Sequence, residues 1–251
     1  MHKIFLSGHR GYNDKEIENS PSAFKRAIKE KLDYVEFDVK STKDGIPVVF
    51  HDNNLKRLLG VNKRLDEVSF KELKEYSLEN GEKVLGLREF LELTNGKINY
   101  MLEIKSRRLE EKIISLLNEY RVNSRTIIQS FNPKDIKNCF LLDKNFRYGL
   151  CIGPVGNLGF LGQISGLHYL LGAFWYFFLV KPSPATYLNI DGPLVNDAFI
   201  SICKRYDKKI ILGANNTWRY LDKLKKWRVE IINADNPKYI KQLLESQTND
   251  I

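Results

Sequence analysis

The chain has 251 residues, 43% of them hydrophobic, and a formal net charge of +9, enough apolar content for one large core. Three scattered cysteines, Cys139, Cys151 and Cys203, exclude a disulfide framework or a cysteine zinc site and point to a reducing, cytoplasmic setting. The positive excess falls in Lys-rich helical stretches such as 204–209 and 221–228 and reads as solvated surface; with no binding motif beside it, a nucleic-acid partner is not expected.

The opening MHKIFLSGHR has too short an apolar run for a signal peptide, and KIFLSG (3–8) is a predicted strand. Ser20 followed by Pro21 opens a helix over 20–31. The next strand, YVEFDVK (34–40), carries two carboxylates on one side. Alternation sends Val35, Phe37 and Val39 one way and Glu36 and Asp38 the other. Asp44–Gly45 marks a turn before IPVVFH (46–51), which delivers His51 and Asp52 at its end. The polar, Lys-rich stretch 53–96 reads as a small insertion with two short helices, SFKELKEYS and LREFLEL. Strand INYMLEIK (98–105), helix 108–120, strand 126–131, helix 133–142 and strand 146–151 follow. Strands at 187–191, 209–214 and 229–234, separated by helices, complete the series, and a last helix begins near Pro237.

With 46–51 set aside, eight strand–helix units remain, the pattern of a closed parallel TIM (β/α)8 barrel forming a single domain over 1–251. Catalytic groups in such a barrel sit at the C-terminal strand ends. Polar residues occupy those places here: His9 and Arg10 after the first strand, Glu36 and Asp38 on the second, Glu103 and Lys105 closing the third.

One segment departs from the pattern. Between Tyr148 and Val180 there is no Asp, Glu, Lys or Arg, and 158–180 is long enough to cross a bilayer. A single crossing would put the last three strands on the opposite side of a membrane from the first five, so the barrel could not close. The apolar insert (155–183, between strands five and six) is therefore expected either to be buried or covered by a homo-oligomer contact, or to dip peripherally into the lipid interface.

Barrel interiors normally pack Val, Ile and Leu, and unpaired buried carboxylates are costly. Glu36, Asp38 and Glu103 in one mouth would repel each other unless a cation sat among them. All-oxygen donors suggest a hard divalent ion, Ca²⁺ or Mg²⁺. The competing reading is an ion-pair cluster neutralised by Lys105 and Arg10; two histidines at the same mouth favour the metal. His9 and His51 can divide proton transfer, one accepting from the nucleophile and one donating to the leaving oxygen. The metal, Arg10 and Lys105 would neutralise charge on phosphorus. This describes metal-assisted cleavage of a phosphate diester.

HRG (9–11), EN (18–19), AFKRAI, VEFDV (35–39), TKDGIPVVFHD (42–52) and LEIK (102–105) together resemble the glycerophosphodiester phosphodiesterase family, an ordered signature spread over the first hundred residues. QSFNP (129–133) and the spacing of Asn216 from Asp235 are weaker echoes. The resemblance implies a TIM barrel with a small insertion after His51, a divalent metal on Glu36, Asp38 and Glu103, His9 and His51 as acid and base, and Arg10 and Lys105 on phosphate. The activity it implies is hydrolysis of glycerophosphodiesters to an alcohol and sn-glycerol 3-phosphate. Two departures concern the substrate pocket. Where the family carries Trp-Thr-Val-Asn at the end of strand seven, this chain has Gly213, Ala214, Asn215 and Asn216, and its Asp-Arg-Pro appears as Asp235-Asn236-Pro237. The glycerol side is then either more open or lined from elsewhere, by Phe174, Trp175 or Tyr176 of the apolar insert; Asn216 and Trp175 are the candidate substrate-pocket residues. The missing Trp and the apolar insert give the runner-up, a membrane-associated lysophospholipase D. A non-catalytic barrel binding lipid or protein is the remaining alternative.

Overall fold

A computed structural model describes residues 3–153, 183–190, 197–213 and 223–249. Eight parallel strands close on themselves: β1 (Phe5–Gly8), β2 (Tyr34–Ser41), β4 (Asn99–Ile104), β5 (Thr126–Ser130), β6 (Arg147–Ile152), β7 (Tyr187–Ile190), β8 (Lys209–Leu212) and β9 (Val229–Ala234). Each pairs with its neighbours, and β1 joins both β2 and β9. The expected TIM barrel is therefore present. The extra strand β3 (Pro47–Val49) runs antiparallel to β2 outside the ring, with Val39 opposite Val49. It carries the chain from the end of β2 to His51.

Strand alternation sorts the barrel interior into layers. Tyr34, Met101, Ile127, Tyr187, Ile211 and Ile231 form a compact apolar plug. Two residues further along the same strands stand Glu36, Glu103, Gln129, Asn189 and Asn233, a polar layer above the plug. Opposite parity sends Val35, Phe37 and Val39 outward into the main core beneath the helices. A one-residue slip in any strand would exchange these sets, so the register is strongly specified.

Helix α1 (Pro21–Lys29) begins where Ser20 Oγ accepts from the Ala23 amide at 3.1 Å, with Pro21 in the first turn. It buries Ala23, Phe24 and Ala27. The chain beyond His51 forms α2 (Lys56–Leu59) and α3 (Phe70–Leu73) around a separate small core of Phe50, Leu55, Leu65, Val68, Leu73 and Val84. Helix α4 (Leu87–Thr94) belongs elsewhere, although the sequence reading placed it in the insertion. Its Phe90 meets Phe24, Phe37 and Tyr100 at centroid distances of 4.8, 4.0 and 5.4 Å. Tyr100 Oη in turn lies 2.7 Å from Thr94 Oγ1, and the Gly96 amide donates to it at 3.1 Å. Amphipathic spacing places α4 in the main core as the second barrel helix, so the part of 53–96 that packs separately ends before Leu87. Helices α5 (Glu110–Glu119) and α6 (Pro133–Leu142) cover the next two strands.

Among the described residues no helix is long and apolar enough to cross a membrane. The apolar insert over 155–183 lies almost wholly outside the described residues.

Truncating Phe90→Ala should remove about 3–5 kcal/mol of stability, read as a lower urea midpoint with an unchanged slope. A loss below about 1 kcal/mol would mean that α4 is not seated on the barrel through this ring.

Candidate active site

The tight HRG turn after β1 shapes one wall of the site. Gly11 has φ +94°, and a Cβ there would lie 2.6 Å from Ala23 Cβ, so α1 can approach only glycine. Arg10 (φ +54°) and Asn19 (φ +55°) both adopt the left-handed backbone that side-chain-bearing residues rarely occupy. The Asn19 amide donates to the Arg10 carbonyl at 2.8 Å, so the two strained residues support each other. Both are aimed at one carboxylate. Asn19 Nδ2 donates to Asp38 Oδ2 at 2.9 Å, and Arg10 Nε lies 3.3 Å from the same oxygen.

Glu36, Asp38 and Glu103 are buried, and an oxygen from each lies within 4.8 Å of the others. Parallel pairing sets Asp38 beside Glu103. The Arg10 amide donates to Glu36 Oε2 at 2.9 Å. Lys105 Nζ sits 2.6 Å from Glu103 Oε1 and 3.4 Å from Asp38 Oδ1. The cations are unevenly shared. Burial works against ionised Asp38, but Lys105 and Arg10 outweigh it and hold this carboxyl below its usual range. Burial and the Asp38 charge push Glu36 up to about 8. Burial also raises Glu103, although Lys105 opposes it.

Both histidines are held at Nδ1 by a carboxylate. His9 Nδ1 lies 2.7 Å from Asp235 Oδ1, and its Nε2 is 3.9 Å from Glu36 Oε2. His51 Nδ1 lies 2.7 Å from Asp52 Oδ1. When Nδ1 donates to the carboxylate, Nε2 is left to face the site. Burial lowers the basicity of His9, but the Asp235 hydrogen bond and the Glu36 charge overcome it, so His9 is raised. His51 is lowered, chiefly by burial.

A charged lattice outside the trio connects these parts. Arg57, on α2, donates to both oxygens of Asp52 at 2.6 and 3.0 Å and to both of Glu18 at 2.9 and 2.7 Å. Glu18 Oε1 also accepts from Arg10 Nη1 at 2.9 Å. Glu18, Asp52 and His51 form a second close group of metal-type donors, but there the guanidinium already supplies the positive charge. The sequence reading missed Arg57 because it sits in a Lys-rich stretch indistinguishable from solvated surface. Its only local signal was its place six residues after His51 on a short helix.

His9, Arg10, Glu36, His51, Glu103 and Lys105 thus surround one cavity of about 200 Å³ at the barrel mouth. Asn216 and Trp175 lie outside the described residues. Asn233 Oδ1 borders the same cavity, buried and without a hydrogen-bond partner among the described residues. Three oxygen donors, a Glu36 proton retained well above its normal range and an unpartnered amide oxygen fit a hard divalent cation.

The Glu36 shift has a definite sign. Between about pH 5 and 8 the metal-free native state keeps a proton that the unfolded chain releases, so metal-free stability falls as pH rises through that window. Glu36→Gln should abolish this part of the fall and should also abolish the rise in melting temperature on adding millimolar Ca²⁺ or Mg²⁺ to the unaltered protein. A thermal-melt series from pH 5 to 8 checks both, and an unaltered metal response in Glu36→Gln would remove Glu36 from the ligand set.

Comparison with known proteins gives a consistent result. Residues 9–155 match the model of the glycerophosphoryl diester phosphodiesterase family. A glycerophosphodiester phosphodiesterase of Caldanaerobacter subterraneus subsp. tengcongensis is 33% identical over 163 residues, 59% of this chain and 66% of that protein. Lysophospholipase D GDPD1 of Homo sapiens is 31% identical over 153 residues, 54% of this chain and 49% of that protein. The chain thus spans about two thirds and about half of the lengths of these two relatives. The structure of an Oleispira antarctica phosphodiesterase in complex with the product sn-glycerol-3-phosphate superposes with a TM-score of 0.75 at 21% identity, covering 96% of each chain.

Proposed function

Because the chain belongs to the glycerophosphoryl diester phosphodiesterase family, we propose that it hydrolyses glycerophosphodiesters to an alcohol and sn-glycerol 3-phosphate in a metal-dependent reaction. The observation that carries this reading is the buried trio Glu36, Asp38 and Glu103 flanked by two carboxylate-held imidazoles. The product bound to the Oleispira neighbour supports the same chemistry.

In this reading Glu36, Asp38 and Glu103 hold Ca²⁺ or Mg²⁺. When bound, the ion draws electron density from the phosphoryl group and offsets the charge that develops there. Arg10 and Lys105 reach the same phosphoryl oxygens from opposite sides of Asp38 and keep the substrate in register. His9 and His51 divide the proton transfers: one takes a proton from the attacking hydroxyl, and the other gives one to the departing alkoxide. Asp235 and Asp52 fix the two rings so that Nε2 of each is turned to the reacting centre. Arg57 anchors Asp52, and through it His51. The whole chain acts as one phosphodiesterase domain, with 53–86 as a small accessory lobe.

A second reading keeps the chemistry and changes the substrate. The match to a lysophospholipase D and the charge-free stretch up to Val180 favour lysophospholipids, met at a membrane surface. Assaying glycerophosphocholine against lysophosphatidylcholine, with and without vesicles, separates the two. Failure to cleave either with Ca²⁺ or Mg²⁺ present would sink both and favour a binding barrel. A cyclic phosphate among the products would assign the attack to the substrate's own 2-hydroxyl, and its absence to water.

His9→Ala and His51→Ala should each slow turnover by about 10²–10⁴-fold with the melting temperature and metal response retained. Near-normal turnover in either variant would remove that histidine from proton transfer.

A further inference from the structure

Among the described residues two further cavities adjoin the barrel mouth, and they differ in charge. The cavity at the trio, about 200 Å³, has room for a phosphate and a short polyol but little more, so a larger alcohol would extend into one of them. On the His9 side lies a cavity of about 530 Å³ walled by Arg10 and by the acids Asp14, Glu18 and Asp235. On the His51 side a cavity of about 1600 Å³ carries Lys40, Arg107, Arg108 and Lys134.

The acids of the larger cavity are already engaged. Asp52 is held by Arg57, Glu103 by Lys105, Glu110 by Asn138, and Asp135 by Ser130 and Asn132. Among the described residues, no carboxylate lies within 4 Å of the Lys40, Arg107, Arg108 or Lys134 cationic groups. Lys40 is the telling member. It is the next inward residue of β2 after Glu36 and Asp38 and only 6% exposed; Lys105 acts against its charge, and Asp38, Asp52 and Asp66 support it from a distance, without an ion-pair contact. Its ammonium donates to a neutral amide, Asn53 Oδ1. Holding Asn53 would require only a neutral donor, whereas burying an ammonium without a counter-charge in contact is costly. A buried cation that borders an open cavity and has no acid in contact is suited to an anion brought by a ligand.

We propose that this cavity is the leaving-group subsite and that Lys40 selects substrates whose departing alcohol carries a second anionic group, a phosphate or a carboxylate. The inference rests on the hydrolase reading above and narrows its substrate class. Arg107, Arg108 and Lys134 extend the same positive wall outward, so the anion is drawn along it and meets Lys40 beside His51.

The test is the ratio of kcat/KM within two matched pairs, with Mg²⁺ or Ca²⁺ present. Glycerophosphoserine and glycerophosphoethanolamine differ by a carboxylate; glycerophosphoinositol 4-phosphate and glycerophosphoinositol differ by a phosphate. The anionic member of at least one pair should be favoured about tenfold or more, and the responding pair identifies the anion. Lys40→Gln should bring that ratio to within about twofold. A purely structural Lys40 would lower both members alike and leave the ratio standing, which overturns the assignment. Should Lys40→Gln not fold, Arg108→Gln should lower the same ratio by about two- to fivefold, and an unchanged ratio there counts equally against the subsite. Equal kcat/KM within both pairs in the unaltered protein overturns the subsite and leaves the hydrolase reading intact. Cleavage of none of the four overturns the hydrolase reading itself, and the subsite with it.

Discussion

Burying Glu36, Asp38 and Glu103 within 4.8 Å of one another creates an electrostatic problem that the rest of the barrel mouth is built around. Each carboxylate loses its hydration and gains like-charged neighbours, and either effect alone would drive it to protonate. The protein's own cations compensate one acid fully: Asp38 receives Arg10 and Lys105, and a neutral amide donor from Asn19. Glu36 receives a backbone amide and remains strained toward its protonated form. The protein therefore neutralises part of the cluster and leaves a deficit of positive charge at its centre. A purely structural ion-pair network would have no reason to stop short.

The fold makes this cluster affordable by confining it to one layer. Below it the apolar plug of Tyr34, Met101, Ile127 and Ile231 supplies ordinary barrel packing, while Phe24, Phe37 and Phe90 fasten the outer face of the same strand to two helices. Strand β2 is thus gripped by aromatic packing on one face while it presents acids on the other. Its period of two lets adjacent residues serve opposite purposes without compromise. The backbone strain at Arg10 and Asn19 belongs to the same arrangement, because it turns both side chains onto Asp38 from a loop that would otherwise run past it.

Legibility from sequence divides along physical lines. The barrel, and the placement of the trio and both histidines at its mouth, were readable because they depend on strand alternation and on strand ends, which leave a local signature. The ordered motifs of the first hundred residues, from HRG to LEIK, sharpened that reading. What escaped depends on contacts between loops. Arg57 meets Glu18, 39 positions away, and no periodicity announces a bidentate pair across such a gap. Helix α4 was assigned to the insertion because its neighbours are polar and Lys-rich. Its own apolar face, Leu87, Phe90 and Leu91, packs into the main core. Lys40 was read only as the end of a strand, and its lack of an acid in contact became visible only in three dimensions. Asn216, Trp175 and nearly all of 155–183 fall outside the described residues.

The two imidazoles are anchored by different bodies of the protein, and this bears on how the site can vary. His9 is fixed by the barrel itself: its amide donates to the Ala234 carbonyl at 3.0 Å and its ring meets Asp235, both at the end of β9. His51 is fixed by Asp52 and Arg57, and Arg57 rides on a lobe with a small core of its own. That lobe also supplies Asn53, the partner of Lys40, and one wall of the larger cavity. Changes in residues 53–86 can therefore reshape the side on which the larger cavity opens, and with it the seat of His51, while the carboxylate trio and His9 stay where the strands put them. The acidic trio belongs to the barrel and one wall of the larger cavity to the accessory lobe, with Glu18 between Arg10 and Arg57 as the bridge that keeps the two in register.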